Sequence, residues 1–155
     1  MGTLVAVEAK RRRRLAADEV ERVLGAVARA SAAHPEVVLS CFHGSAARGE
    51  PAADIDIGVF VDPLAAPDPL AAFEVCSDIA ARATREARPP LELDVRPLNG
   101  SGPAFRFAIL SEGRVVYARS RDEQVVLQAE WASDWHDFRP FWDRQVRRLS
   151  GRRGA

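Results

Sequence analysis

The chain has 155 residues, 47% of them hydrophobic and 28% charged, enough apolar mass for one packed core without disulfides and too ordinary a balance for a disordered or fibrous protein. Its 22 basic and 22 acidic side chains cancel, which excludes a surface that traps nucleic acid as a whole, and direct nucleic-acid binding is not expected. No apolar stretch near Met1 is long enough for a secretion signal or a membrane span, so the expected location is the cytoplasm, away from membranes.

Residues 1–14, with the run Lys10 to Arg14, read as a basic, flexible N-terminal segment, and residues 15–150 as one domain. From Ala16 to Ala33, Val20, Val23, Leu24, Val27 and Ala30 recur at helical spacing, with Asp18, Glu19, Glu21 and Arg22 opposite; His34-Pro35 ends the helix. Val37 to Phe42 is short, β-branched and nearly all apolar, which suits a strand covered on both faces. A turn at Gly44-Ser45 follows. Asp54 to Val61 alternates, with Asp54, Asp56 and Gly58 on one face and Ile55, Ile57, Val59 and Val61 on the other.

Pro63, Pro67 and Pro69 mark a loop, and Leu70 to Ala87 a helix with Phe73, Cys76, Ile79, Ala80 and Ala83 as its buried stripe. Leu91 to Arg96 alternates again, placing Asp94 opposite Leu91, Leu93 and Val95. After the turn Asn99 to Gly102, Pro103 opens a helix through Leu110, Gly113 closes it, and Arg114 to Tyr117 return as a strand. Asp122 to Leu149 reads as C-terminal helices, about 121–150, broken near Arg139-Pro140. Its aromatics Trp131, Trp135, Phe138, Phe141 and Trp142 suit a core or a partner-binding face. Cys41 and Cys76, unclustered and in apolar runs, read as packing groups in a reducing compartment. The expected fold is α/β (α+β), a small mixed sheet flanked by helices.

Three features suggest chemistry together although each is common alone: Gly44-Ser45 leaving one strand, Asp54 and Asp56 opening the next, and Asp94 within a third. Displacement at the α-phosphorus of a triphosphate needs cations that bridge phosphates and lower the pKa of the attacking hydroxyl, and carboxylates are the ligands that hold such hard ions. Aspartates one residue apart on a strand project side by side, and Asp94 on a neighbouring strand is placed to hold a further ion or accept a proton. Glycine lets a backbone approach phosphate, and a serine hydroxyl donates to it. Arg48 is a candidate phosphate contact or a partner of Glu50.

Gly44-Ser45-Ala46-Ala47-Arg48-Gly49-Glu50 followed by Asp54-Ile55-Asp56-Ile57, with Asp94 in Leu93-Asp94-Val95, resembles the signature of the polymerase-β-type nucleotidyltransferase superfamily, in particular its minimal nucleotidyltransferase (MNT) branch. Leu98-Asn99, the block Phe105 to Tyr117 and Asp137-Phe138-Arg139-Pro140-Phe141 extend the likeness to MntA-type antitoxins. The resemblance implies Asp54, Asp56 and Asp94 as catalytic metal ligands for Mg2+, two ions in number, and Gly44, Ser45 and Arg48 as nucleotide contacts. It also implies ATP as substrate and a HEPN ribonuclease toxin as partner, silenced by AMP attached to a tyrosine. The loop departs from the pattern: eight residues, Ala46 to Ala53, separate Ser45 from Asp54, fewer than the family commonly has, and Ala53 stands where a serine is frequent. A trimmed turn is the reading. His43, where an aromatic commonly precedes the glycine, receives no role. The alternatives are a non-catalytic antitoxin that masks its toxin through the aromatic C-terminal helices and, further off, an adenylyltransferase acting on an antibiotic.

Overall fold

Four strands and five helices alternate along residues 10–151, the part of the chain that the computed structural model describes. They run α1 (Ala17–Ala32), β1 (Val37–His43), α2 (Gly44–Ala47), β2 (Asp54–Val61), α3 (Pro69–Ala87), β3 (Glu92–Pro97), α4 (Pro103–Glu112), β4 (Arg114–Ala118) and α5 (Arg121–Gly151). The sheet order is β3-β2-β1-β4. β1 runs antiparallel to both β2 and β4, whereas β2 and β3 are parallel, joined by the α3 crossover. The expected mixed sheet between helices is what forms.

Alternation decides which layer each side chain joins. Ile55, Ile57, Val59 and Val61 of β2 and Leu93 and Val95 of β3 pack with Val23, Val27, Cys76 and Ile79 of α1 and α3. On the other face Val38, Leu39 and Cys41 of β1 meet Leu98, Ile109 of α4, and Leu127 and Trp131 of α5. β1 is therefore covered on both sides, as its unbroken apolar run requires. Its one buried polar side chain, Ser40, is satisfied by the Ser31 hydroxyl at 2.9 Å.

Local chemistry sets the helix ends. The Asp68 carboxylate accepts from the Leu70 amide at 2.9 Å, Pro69 occupies the first turn, and Arg88 turns left-handed (φ 45°) before Pro89. Ser120 accepts from the Glu123 amide at 3.2 Å and donates to the Glu123 carboxylate at 3.0 Å, a reciprocal cap on α5. Asn99 continues the sheet by side chain: its Nδ2 donates to the Val61 carbonyl at 2.6 Å and its Oδ1 accepts from the Val61 amide at 2.9 Å.

Two expectations are corrected. Asp122 to Leu149 is not broken at Arg139-Pro140 but belongs to one helix of 31 residues. Pro140 lies on the exposed side, where water can satisfy the carbonyl one turn back that loses its amide partner. In α3, Phe73 is 56% exposed, and Ala72 and Val75 are buried in its place beside Cys76, Ile79 and Ala83. Periodicity admits both stripes, since they share three positions; packing on α1 selects one. At the N-terminal side, residues 1–9 lie outside the described residues, and Arg13 exchanges two backbone hydrogen bonds of 2.9 Å with Ala52.

Candidate active site

The polar ends of β2 and β3 share one face. Because Ile55, Ile57, Leu93 and Val95 all point to the α1–α3 layer, the residues between them point the opposite way. The parallel register pairs Asp56 with Asp94 and Gly58 with Arg96, and the antiparallel register sets His43 beside Asp56. Asp54, Asp56 and Asp94 consequently converge, each offering an oxygen within 4.8 Å of the others.

Electrostatic cost accompanies that convergence. Burial, then the neighbouring Asp54 charge, pushes the Asp56 carboxyl above the usual carboxylate range; Asp94 adds to this, and His43 and Arg96 work against it. Arg96 is the local compensation. Its Nε donates to both oxygens of Asp94 at 3.0 Å. Three half-buried carboxylates that converge with one arginine between them fit a hard divalent cation held by oxygen ligands.

Gly44 opens α2 at φ +77°, a conformation that side chains other than glycine rarely adopt. A Cβ there would overlap Asp56 Oδ2. The glycine thus serves two demands, the turn out of β1 and the space that Asp56 occupies. Ser45 follows, half-buried, and accepts from Arg48 Nη2 at 3.4 Å. Arg48 itself pairs with Glu50 through two 3.1 Å bonds and lies 3.8 Å from Glu112. The structure therefore brings the three acids and Gly44 together, and shows Arg48 in its ion-pair role.

The acids open into a cleft of about 440 Å³ whose walls include His43, Asp56, Asp94, Arg96, Leu98 and Phe105. Burial lowers the His43 pKa below its ordinary value, and its ring meets Phe105 edge-on at 5.6 Å. Gly58 is explained by packing: a Cβ on it would come within 2.6 Å of the Leu98 side chain, which floors the cleft. Arg96 and Phe105 were not anticipated. Arg96 was findable, two residues after Asp94 on the same strand face; nothing local marks Phe105.

The sequence model described as polymerase beta, nucleotidyltransferase matches residues 27–122, a span that contains the glycine turn and all three acids. The chain belongs to this family. Among solved structures, the nucleotidyltransferase is similar to a chain from the tri-AMPylated Shewanella oneidensis HEPN toxin in complex with MNT antitoxin, at 14% identity and TM-score 0.61, covering 84% of this chain and 98% of that one. A chain of the MntA–HepT toxin–antitoxin gives 13% identity and TM-score 0.60, with coverages of 84% and 98%. A toxin–antitoxin with AMP-PNP gives 16% identity and TM-score 0.58, with coverages of 88% and 99%. At these identities the likeness is one of fold. No curated protein matches the sequence significantly.

Proposed function

We propose that this nucleotidyltransferase is the antitoxin of a toxin–antitoxin pair and transfers AMP from ATP to a tyrosine of a HEPN-type toxin. The observation that carries the transferase reading is the meeting of Asp54, Asp56 and Asp94 within 4.8 Å beside Gly44. The protein acceptor is supported by fold likeness to an MNT antitoxin found with its AMPylated toxin, and the nucleotide by the AMP-PNP complex of another such pair. Residues 15–150 act as one catalytic domain. Two buried free thiols suit a reducing cytoplasm, and no described helix is long and apolar enough to cross a membrane.

In the reaction the tyrosine oxygen forms a bond to the α-phosphorus, the bond from that phosphorus to the oxygen bridging to the β-phosphorus breaks, and pyrophosphate leaves. Asp54, Asp56 and Asp94 would hold Mg2+, which when bound would neutralise charge on the phosphates and lower the pKa of the attacking hydroxyl. Asp94, on its own strand, accepts the hydroxyl proton. The Gly44 turn lets the triphosphate approach the backbone, Ser45 donates to a phosphate oxygen, and Arg48 leaves Glu50 to bind the phosphates.

The decisive measurement is intact mass of a candidate HEPN-type acceptor, sought first in the neighbouring reading frame, after incubation with the chain, ATP and Mg2+. Whole AMP units on a tyrosine, absent with Asp54→Asn/Asp56→Asn, are expected. A stable complex that neutralises the toxin without mass gain would replace transfer by masking.

A further inference from the structure

A displacement at phosphorus brings the attacking oxygen in opposite the oxygen that leaves. The two sides are distinguishable along β2. Gly44 and Ser45 follow His43, which pairs with Asp56, and the antiparallel register carries them towards Ile55 and Asp54. The turn assigned above to the triphosphate, from which pyrophosphate departs, therefore lies at the Asp54 end of the strand. The acid cleft runs the other way: Asp56, Gly58, Asp94 and Leu98 are among its walls, whereas Asp54, Gly44 and Ser45 stand outside it. The attacking oxygen accordingly enters through the cleft, on the side of Asp94.

The cleft is charged at one end. Asp56 and Asp94 lie side by side in the register, and Arg96 turns to Asp94, donating from Nε to both its oxygens at 3.0 Å. Beyond them Gly58, lacking a side chain, leaves room for Leu98 to lie against the sheet. Phe105, 48% exposed, reaches the cleft from the first turn of α4 and meets the His43 ring edge-on at 5.6 Å. A planar apolar body with one polar atom at its far tip matches this division. A purine does not, because its ring nitrogens against Leu98, Pro97 and Phe105 would lose water without gaining a partner. A serine or threonine carries its hydroxyl one carbon from the main chain, whose amides would enter between the same apolar walls unpaired.

We propose that the Phe105–Leu98 end of the acid cleft is the acceptor subsite and selects an aromatic hydroxyl, with Phe105 and Leu98 as the specificity-determining residues. The acceptor ring lies between them with its oxygen at Asp94, and the nucleobase lies outside the cleft. The phenol oxygen bonds to the α-phosphorus as pyrophosphate leaves towards Gly44, and its proton passes to Asp94. This rests on the AMP-transfer reading above.

The test titrates the full chain, labelled with nitrogen-15, with N-acetyl-L-tyrosinamide and with N-acetyl-L-serinamide by NMR, alone and saturated with AMP-PNP and Mg2+. The wild type is compared with Phe105→Ala, whose half-exposed position allows folding, verified by circular dichroism. Expected are millimolar binding of the tyrosinamide with and without AMP-PNP, no binding of the serinamide, and a tyrosinamide affinity about tenfold lower in Phe105→Ala with AMP-PNP affinity unchanged. Displacement of the tyrosinamide by AMP-PNP, or weakening of AMP-PNP instead in Phe105→Ala, would overturn the subsite and give the cleft to the nucleobase. Absence of tyrosinamide binding at millimolar concentration, or equal binding of the serinamide, would also overturn it while leaving AMP transfer to a protein standing. Tyrosinamide binding as expected, without AMP transfer to it or to a candidate HEPN-type acceptor, would uphold the aromatic subsite and sink the transferase reading instead.

Discussion

Asp56 is where folding and chemistry disagree. Burial and two neighbouring carboxylates disfavour its charged form in the folded chain, so a neutral isostere relieves the cation-free protein. For an acid whose pKa is raised on folding, the contribution is destabilising above that pKa and vanishes as pH falls through it. Asp56→Asn is therefore expected to raise the cation-free melting temperature while abolishing transfer. A lower melting temperature in differential scanning calorimetry would contradict this. Gly44 carries the opposite risk. Gly44→Ala places a methyl against Asp56 in a left-handed turn, and a stability loss of about 1–3 kcal/mol with transfer lost is expected from urea unfolding and the mass assay. The Asp-x-Asp pair and the glycine turn were legible from alternation and residue type. That Gly44 and Asp56 compete for one volume was not, because they come from different elements, α2 and β2.

Among the elements, α5 is the instructive one. A proline at position 140 argues for a break, yet one helix spans it, because the lost bond faces water and the ring points outward. Pro140→Ala is expected to stabilise the protein by about 1–3 kcal/mol in urea unfolding, with transfer unchanged. A fall in stability would show that the proline fits a bend the helix requires. α3 makes the complementary point: its helix was legible, but the face it buries was displaced, with Phe73 outside and Ala72 and Val75 inside. Hydrophobic period locates a stripe only to within its own width, and the packing partner chooses the edge. β1 had no such freedom, since an unbroken apolar strand must be covered on both faces.

At the scale of the molecule, the sheet divides an apolar α1–α3 layer from a working layer bounded by α4 and α5. Both thiols lie within these layers, and burial pushes Cys41 and Cys76 up to about 12. Iodoacetamide at pH 8 should therefore leave them unmodified in the native protein, where only about one thiol in ten thousand is ionised by the four-unit gap, and alkylate both in urea. Modification of the native chain would show a more open layer. Cation binding should stabilise the whole domain by mass action: Mg2+ with ATP is expected to raise the wild-type melting temperature by several degrees, chelation to reverse it, and Asp54→Asn/Asp56→Asn to show no response. Loss of Arg119 would test the rim of the same layer, since it ties β4 to Asp62 and to the Pro35 carbonyl at 3.2 and 2.9 Å. What the sequence by itself determined is local or periodic: the strands and helices, the spacing that marks the family, and the chemistry of acids that share a strand face. What only the tertiary structure decided is which separate strands lie side by side. Strand register put Asp94 against Asp56 and His43 beside it, and the packing of α4 on the sheet brought Phe105 to the wall of the acid cleft. Those relations depend on pairing between residues distant in the chain, which no local period encodes.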